Sequence, residues 1–170
     1  MKIIIIAILV AILVASIPIP LPTHDYLFGT AFPTIPDAPV SQRFHAPGPK
    51  LPHVGVDFGV PWGTQVYAVK SGIVISAGLD RVYGRFIMIE HFDGYASLYG
   101  HLSELKVKEG NFVHWGQLIG LSGGDPNKDP EGAGWSVVAH LHFEIRIPDH
   151  LDNNLYNIDP LEYIGFGNEE

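Results

Sequence analysis

Two histidines with one residue between them, His140 and His142, lie in a stretch that reads Ala-His-Leu-His-Phe-Glu. Apolar and polar side chains alternate along this stretch and onward to Ile147, which predicts a β-strand. Side chains at positions i and i+2 of a strand project from the same face, so both imidazoles should point at one place. Imidazoles among apolar neighbours are costly to bury without partners, so the rest of the chain should supply those partners.

A second pair of polar residues, His53 and Asp57, is suited to join these histidines. They stand four residues apart in the sequence His-Val-Gly-Val-Asp, where the valines and glycine favour an extended path over a helix. An extended path would put both side chains on one face, since four is an even step along a strand. Imidazole and carboxylate are good zinc ligands, and catalytic zinc sites have three protein ligands and one open position. We therefore predict a zinc site formed by His53, Asp57 and His142.

Two further histidines, His101 and His140, would lie beside this zinc site without being needed as ligands. Zinc lowers the pKa of a water in its open position to about 7 and polarises a carbonyl group. Imidazoles next to such a water are suited to general acid–base catalysis, because their own pKa lies near neutrality. One would take a proton from the water, and the other would stabilise the oxyanion or protonate the leaving amine; the residue types do not assign the two roles. Glu144 continues the strand face and is expected to orient a ligand histidine.

The composition limits both the fold and the kind of metal site. The 170 residues include 14 prolines and 19 glycines, which suits short strands and tight turns in one domain with a short appendage. There is no cysteine, so disulfides cannot stabilise the fold, and any metal site must use histidine and carboxylate ligands. The formal net charge of -8 argues against a nucleic-acid partner, because phosphate binding needs a basic surface.

Short stretches rich in Val, Ile, Tyr and Phe follow one another from Ser41 onward, separated by turn-forming residues. Asp93-Gly94 between two of them is a strong signal for a two-residue hairpin, because a type I′ turn needs positive φ at both positions. The pattern predicts an all-β, mostly antiparallel fold in which His91 and His114 face solvent. The predicted strands are 54–60, 65–69, 72–77, 85–91, 95–102, 117–122 and 141–147.

The chain begins with an apolar run, residues 3–15, that follows Lys2. Its length lies between that of a signal-peptide core and that of a membrane-spanning helix, so residues 1–17 are predicted to be a signal peptide or a helical membrane anchor. In both cases Lys2 would stay inside and the remainder would be delivered outward, to an extracytoplasmic location. Six prolines in residues 18–40 predict an extended linker, which leaves 41–170 as the catalytic domain.

Seven short sequence motifs spread along the chain occur together in one known family. They are 53–58 (HVGVDF), 61–68 (PWGTQVYA), 72–74 (GIV), 98–102 (LYGHL), 116–120 (GQLIG), 140–144 (HLHFE) and 159–160 (DP). With them, the chain from about Arg43 to Ile164 resembles the lysostaphin-like (LytM-type) zinc endopeptidases, which cut peptide cross-links in bacterial cell walls. The resemblance implies a compact, barrel- or sandwich-like β fold with a long groove. It also implies the same three zinc ligands as above and catalytic assistance by His101 and His140.

The chain departs from the family pattern just ahead of the histidine pair. Ala139 stands where the family usually has proline, and residues 122–139 are longer than the family's loop and carry Asp125, Asp129 and Glu131. The resemblance implies that this loop lines the groove, so it should affect substrate preference and leave the chemistry unchanged. The acidic residues imitate the opening of a calcium loop, but proline replaces the glycine of the sharp turn and serine the bidentate glutamate, so a solvated acidic loop is expected.

Together with the resemblance, these residues predict a zinc-dependent metalloendopeptidase that acts through metal-activated water, and the resemblance implies that it hydrolyses peptide bonds in peptidoglycan stems or cross-bridges. Its partners would be peptidoglycan peptides, with residues 3–17 available as a membrane tether. The alternative is a non-catalytic zinc-binding cell-wall module that activates a wall amidase, although the intact ligand set argues against it. A structural zinc domain would require a fourth protein ligand. A carrier-type barrel is disfavoured, because no lysine stands at a hairpin tip in a convincing attachment motif.

Overall fold

The computed structural model describes residues 30–45, 52–148 and 155–165 of the chain. Within these ranges it contains eleven strands and two single-turn helices. Neither of these helices is long and apolar enough to cross a membrane. The predicted signal peptide or anchor, residues 1–17, and the first part of the predicted linker, residues 18–29, lie outside the described residues.

The elements follow one another with short connections. The strands are β1 (Val40–Gln42), β2 (Val56–Phe58), β3 (Gln65–Tyr67), β4 (Gly72–Asp80), β5 (Gly84–His91), β6 (Ala96–Gly100), β7 (Leu102–Leu105), β8 (Phe112–Val113), β9 (Leu118–Ser122), β10 (Leu141–Pro148) and β11 (Leu155–Ile158). The helices are α1 (Pro130–Ala133) and α2 (Pro160–Tyr163). Each helix begins with a proline after an aspartate whose side chain accepts a backbone hydrogen bond, which is a favourable start for a helix.

The strands form two antiparallel sheets, both of them open. The larger sheet has the order β1-β2-β10-β6-β5-β4-β8, with β11 also paired to β10, and the smaller sheet has the order β3-β9-β7. Every strand pairing in the described part of the chain is antiparallel. The prediction of an all-β, mostly antiparallel fold is therefore confirmed.

One apolar core contains side chains from both sheets. Phe58, Ile87 and Phe143 come from the larger sheet, and Val66 and Ile119 come from the smaller sheet. All five are fully buried. The two sheets are therefore held together mainly by apolar burial, which is the dominant favourable contribution to folding.

Strand β10 has one apolar face and one polar face. Leu141, Phe143 and Ile145 are fully buried in the core. Because successive side chains of a strand alternate, His142 and Glu144 project from the opposite face. The apolar core thus fixes the direction in which the polar residues of β10 point.

The predicted strands are all present, but several boundaries differ. The predicted strand 54–60 is shortened to β2, because the chain bends just before it. A Cβ atom on Gly55 would overlap the carbonyl oxygen of Phe143, so glycine is needed where this bend crosses β10. The predicted strand 95–102 is interrupted at His101, which separates β6 from β7. The sequence pattern does not predict the short strands β1, β7, β8 and β11.

Part of the predicted linker, residues 30–40, lies against the core. The Phe32 ring packs edge-on against the Phe58 ring, with 5.1 Å between the ring centroids. The backbone N–H of Tyr67 donates to the carbonyl oxygen of Pro33 over 2.9 Å. These contacts attach the segment to the sheets, while the predicted division into signal or anchor, linker and catalytic domain stays a prediction.

A buried chain of polar groups in the larger sheet contains His91. Its Nδ1 lies 3.2 Å from the carbonyl oxygen of Ser71, and its Nε2 lies 2.8 Å from the hydroxyl of Ser97. The Ser97 hydroxyl in turn lies 3.1 Å from that of Tyr99. The prediction that His91 faces solvent is wrong, since the residue is 3% exposed, and burial lowers its pKa to about 4. His114, which is also predicted to face solvent, is partly buried.

The low pKa of His91 makes the stability of the fold depend on pH. Between about pH 6.5 and pH 4 the unfolded chain binds a proton at this histidine and the folded chain does not, so acid destabilises the fold. From about pH 7.5 to pH 5 this should remove on the order of 2 kcal/mol of unfolding free energy. Urea unfolding at both pH values, with a chelator present, should show a loss that is larger by about this amount in the wild type than in His91→Gln, whose amide can keep both hydrogen bonds. The other histidines with shifted pKa values, His101 and His142, contribute equally to both proteins. Equal losses in the two proteins would contradict the prediction.

Candidate metal centre and active site

The pairing of β10 with β2 and β6 brings the predicted zinc ligands together. In the register of these strands, His142 lies opposite Asp57 on one side and Gly100 on the other. His53 reaches the same place from the bend before β2, and not along a continuous strand as predicted. Residues from distant parts of the chain therefore meet within the larger sheet.

Three atoms suited to bind a metal lie close together at this place. His142 Nδ1 is 2.8 Å from Asp57 Oδ1, and His53 Nε2 is 3.1 Å from His142 Nδ1 and 3.2 Å from Asp57 Oδ1. The ligand atoms of the three residues all lie within 4.8 Å of one another, and within the described ranges they form the group that could hold a metal ion. Asp57 and His142 are buried, and His53 is partly buried.

In His53 and His142, the outer ring nitrogen, which is the one that points away from the cluster, already has a hydrogen-bond acceptor. His53 Nδ1 lies 3.1 Å from the carbonyl oxygen of Arg43, and His142 Nε2 lies 2.9 Å from a carboxylate oxygen of Glu144. Because carbonyl and carboxylate oxygens accept hydrogen bonds, the outer nitrogens carry protons and the inner nitrogens can present lone pairs. Two lone pairs and a carboxylate that face one another repel unless a cation lies between them. The three residues therefore fit a divalent metal ion, and their nitrogen and oxygen atoms fit zinc.

The charges of the cluster agree with this arrangement. Burial alone would raise the pKa of Asp57, but hydrogen bonds with His142 and His53 lower it well below its usual range, so the carboxylate is anionic. Burial also opposes the charged form of His142, but hydrogen bonds with Asp57 and Glu144 raise its pKa to about 9. In the metal-free protein a proton on His142 relieves the repulsion, so metal binding has to displace that proton.

Glu144 accepts a hydrogen bond from the outer nitrogen of His142 and also accepts hydrogen bonds from two other neighbours. Arg146 Nε and Asn157 Nδ2 each donate to Glu144 Oε2 over 2.7 Å. Glu144 is fully buried, which would raise its pKa, but the hydrogen bond with His142 and the charge of Arg146 lower it to about 2. Arg146 also donates to the hydroxyl of Tyr83 over 2.7 Å. Glu144 therefore lies where the sequence places it, behind a ligand histidine.

His140 and His101 lie beside the ligand cluster. His140 Nε2 is 3.6 Å from Asp57 Oδ1. The centroid of the His101 ring is 4.8 Å from that of His140 and 5.7 Å from that of His142. His140 Nδ1 lies 2.8 Å from the carbonyl oxygen of Val138, so Nδ1 carries the proton and Nε2 presents its lone pair to the site. All five predicted site residues are therefore in one place.

His101 has an uncommon backbone conformation for a residue that is not glycine. Its φ is 57°, in the left-handed region, and its N–H donates to the carbonyl oxygen of Tyr83 over 2.7 Å. Burial, followed by the charges of His140 and His142, lowers the pKa of His101 to about 3, so its ring is neutral near pH 7. No local feature of the sequence predicts this conformation, because a histidine carries no turn signal of the kind that glycine does.

Four residues near the site are absent from the sequence prediction. Arg146 continues the alternation of 142 and 144, so following the strand face two residues further would find it. Tyr83 and Asn157 come from the β4–β5 turn and from β11, and no local pattern links them to the histidines. Ser136 Oγ lies 3.1 Å from His140 Nδ1 and comes from the loop before β10.

The cluster lies in an open groove of about 1500 Å³. Val54 and Val60 line the groove before and after β2, and the loop ahead of β10 lines it with Trp135, Val137 and Val138. Trp135 is 54% exposed and Val137 is 82% exposed, although both are apolar. The groove is larger than small-ligand pockets of roughly 300–1,000 Å³, so it can take an extended chain. The loop thus lines the groove as the resemblance implies.

Two of the three acidic residues of this loop, Asp125 and Asp129, form hydrogen bonds within the protein, and Glu131 is exposed. Asp125 Oδ1 accepts a hydrogen bond from the backbone N–H of Asn127 over 3.0 Å. Asp129 Oδ2 lies 2.5 Å from Arg85 Nη1, and its Oδ1 accepts from the backbone N–H of Gly132 over 2.9 Å. The prediction of a freely solvated acidic loop is therefore too simple for Asp129, which forms an ion pair with β5.

A family model described as Peptidase family M23 matches residues 51–160. Among curated relatives, the peptidoglycan DD-endopeptidase ShyA of Vibrio cholerae is 38% identical over 107 residues, which are 63% of this chain and 22% of that protein. The chain spans about a fifth of the length of the curated relatives it matches.

Solved structures of similar proteins have the same fold. The antimicrobial peptidase lysostaphin from Staphylococcus simulans matches with a TM-score of 0.64 and 29% identity, over 79% of this chain and 53% of that one. A zinc containing peptidase from Vibrio cholerae matches with a TM-score of 0.61 and 28% identity, over 75% of this chain and 37% of that one. Because the family match extends over more than half of the chain and includes the whole ligand cluster, the chain belongs to peptidase family M23.

Proposed function

We propose that this chain is a zinc-dependent metalloendopeptidase that hydrolyses peptide bonds in the stems or cross-bridges of bacterial peptidoglycan. The observation that carries the proposal is the convergence of three metal-ligand atoms beside two imidazoles that are not needed as ligands. The names of relatives support the substrate class, since ShyA is a peptidoglycan DD-endopeptidase and lysostaphin an antimicrobial peptidase.

In this proposal His53, Asp57 and His142 hold the zinc ion. A bound zinc ion supplies a Lewis acid that activates water and polarises the scissile carbonyl group. Glu144 fixes His142 in the tautomer that leaves Nδ1 available, and the carbonyl oxygen of Arg43 does the same for His53 Nε2. Because both ligand histidines are held from behind, their rings need little rearrangement when the metal binds.

We assign the role of general base to His140. Its Nδ1–H is engaged by Val138, so Nε2 is the nitrogen that can take a proton from the attacking water, and this atom faces the ligand cluster. The same proton then passes to the leaving amine, so that one water is consumed and one amine and one carboxylate are formed. His101 is neutral and adjacent, which suits it to donate a hydrogen bond to the oxyanion that develops on the substrate.

The ligand set favours a catalytic zinc site over a structural one. Structural sites are closed by four protein ligands, whereas the group in the described ranges of this chain has three. The cluster also opens on a groove large enough for an extended peptide. A module that only activates a wall amidase would have no use for two further imidazoles beside the metal ligands.

The place of action follows from the proposed substrate. Peptidoglycan lies outside the cytoplasm, so the protein would act as a secreted, periplasmic or outward-facing anchored enzyme. The signal peptide or anchor in residues 1–17, the membrane tether through residues 3–17 and the exclusion of nucleic acid as a partner stay predictions from the sequence.

Hydrolysis and zinc binding should separate in single variants of the full chain. His101→Ala and His140→Ala should keep one zinc ion per chain and lose about 100-fold or more of the hydrolysis rate, because general acid–base groups contribute on that order. His142→Ala should lose both properties. Zinc is measured by elemental analysis, and hydrolysis by new amino groups released from purified cell walls, with the fragments identified by mass.

The same measurements of zinc content and released amino groups on the wild type distinguish the proposed enzyme from the alternative, a non-catalytic module that activates a wall amidase. A wild-type chain that binds zinc but releases no amino groups from walls of several chemotypes would favour the amidase-activating module. Full hydrolysis by His101→Ala and by His140→Ala would reject the assigned roles and leave the metal site intact.

Loss of the charge behind His142 should weaken zinc binding. Glu144→Gln keeps the shape of the side chain but removes the anion, so the affinity for zinc should fall by about 10–100-fold. Competition with a chromophoric chelator measures this affinity. Glu90→Gln removes one charge from an exposed position of β5 and should leave the affinity unchanged. Equal affinities for the two variants would show that Glu144 does not tune the metal site.

A further inference from the structure

Arg85 on β5 contacts two parts of the chain that carry the non-ligand histidines. Its Nη1 lies 3.1 Å from the carbonyl oxygens of both Leu102 and Ser103. The same nitrogen lies 2.5 Å from Asp129 Oδ2, in the loop ahead of β10. Leu102 directly follows His101, so one guanidinium group joins the end of the His101 turn to the loop that leads to His140.

The loop is docked tightly at this point. Asp129 also caps α1, because its Oδ1 accepts from the backbone N–H of Gly132 over 2.9 Å. A Cβ atom on Gly84 would overlap the carbonyl oxygen of Gly132, so the backbone of α1 rests directly on the start of β5. The backbone N–H of Trp135 donates to the carbonyl oxygen of Val82 over 2.9 Å. The ion pair therefore belongs to a close backbone contact and does not lie alone on the surface.

The segments that Arg85 joins end at the two imidazoles. After α1 the loop reaches Ser136, whose Oγ lies 2.7 Å from the carbonyl oxygen of Gly124 and 3.1 Å from His140 Nδ1. On the other side, His101 keeps a left-handed φ of 57°, and such a conformation persists only where neighbouring contacts hold it. Arg85 supplies two of these contacts, because it holds the carbonyl oxygens of the next two residues.

The metal ligands are supported by a different arginine. Arg146 holds Glu144, and Glu144 holds His142, with no contact to the loop that carries Asp129 among the described interactions. Arg146 also donates to the hydroxyl of Tyr83, whose carbonyl oxygen accepts from the His101 N–H, so the two supports meet at Tyr83. Arg85 and Asp129 can nevertheless be replaced without removing the contact between Glu144 and His142.

We propose that Arg85 and Asp129 act as a positioning pair that sets the geometry of His101 relative to His140. The proposal rests on the proposed peptidase function, in which these two histidines move the proton and stabilise the oxyanion. The pair touches neither the groove nor the ligand atoms, so it should affect the rate of the chemical step and leave zinc binding and substrate affinity in place.

The test compares variants of the full chain that remove the pair in two ways. Arg85→Met removes the guanidinium, and Asp129→Ser keeps a good helix cap but is too short to reach Arg85. In both, kcat should fall about 10- to 100-fold, since misplacement of catalytic groups by about an ångström costs up to that much. KM should stay within about threefold and the zinc content should stay at one per chain. Arg85→Lys keeps the charge and should recover part of the loss.

Matched controls separate this effect from loss of any surface charge or of the metal. Lys106→Met breaks an ion pair with Glu104 that is more exposed, and kcat should stay at the wild-type value. Arg146→Met should instead weaken zinc binding, because it releases Glu144. The double variant of Arg85→Met and Asp129→Ser should lose little more than either single variant, as expected for two groups that act together.

Histidine ring NMR gives a readout that does not depend on turnover. In Arg85→Met and Asp129→Ser the ring signals of His101 and His140 should move, and those of His53 and His142 should stay. The proposal is overturned if kcat and these signals are unchanged, if zinc is lost in step with activity, or if the loss lies in KM alone. An inactive wild type would reject the peptidase function, while the ring signals would still decide the positioning role. If Arg85→Met does not fold, Asp129→Ser alone gives the same decision.

Discussion

The register between β10 and β2 is the constraint on which the rest of the structure depends. It places His142 opposite Asp57, and a shift by one residue would exchange the two faces of β10. Phe143 would then enter the polar site and His142 would enter the apolar core. The full burial of Phe143 and its neighbours on the same face makes that exchange unfavourable. Apolar packing on one side of the strand therefore determines which chemistry is available on the other.

The same register makes metal binding and folding depend on each other. Asp57 and two imidazoles are directed at one point, and only a proton or a cation relieves their mutual repulsion. A metal ion that binds the folded chain and not the unfolded one stabilises the fold by mass action. The buried charge of Glu144 is tolerated because Arg146 and Asn157 both donate to it, and a polar network of this kind is stable only when every member has a partner.

The period of two along a strand explains how much of the fold and the site could be predicted. It predicts most of the longer strands, and it places His140, His142 and Glu144 on one face without knowledge of the fold. It does not predict β1, β7, β8 and β11, which are two to four residues long. The equally short β2 and β3 are predicted because they lie within longer apolar stretches, residues 54–60 and 65–69. Tyr83 and Asn157 could not be predicted either, since only the folding of distant segments onto β10 gives them a role.

The groove has two kinds of lining, the cluster of histidines and a carboxylate and the apolar walls, and the two kinds suit different roles. In the proposed peptidase, the ligand cluster and the two further histidines would act on any peptide bond that reaches them, so they would supply chemistry and little selection. Selection among peptides must then fall to the walls, where Trp135 and Val137 stay exposed although burial would be favourable for both. The loop that carries them is docked through the Arg85–Asp129 ion pair and through the Trp135 N–H, which donates to the carbonyl oxygen of Val82. In the proposed enzyme, the docking that positions His140 would therefore also hold this apolar surface at the edge of the groove.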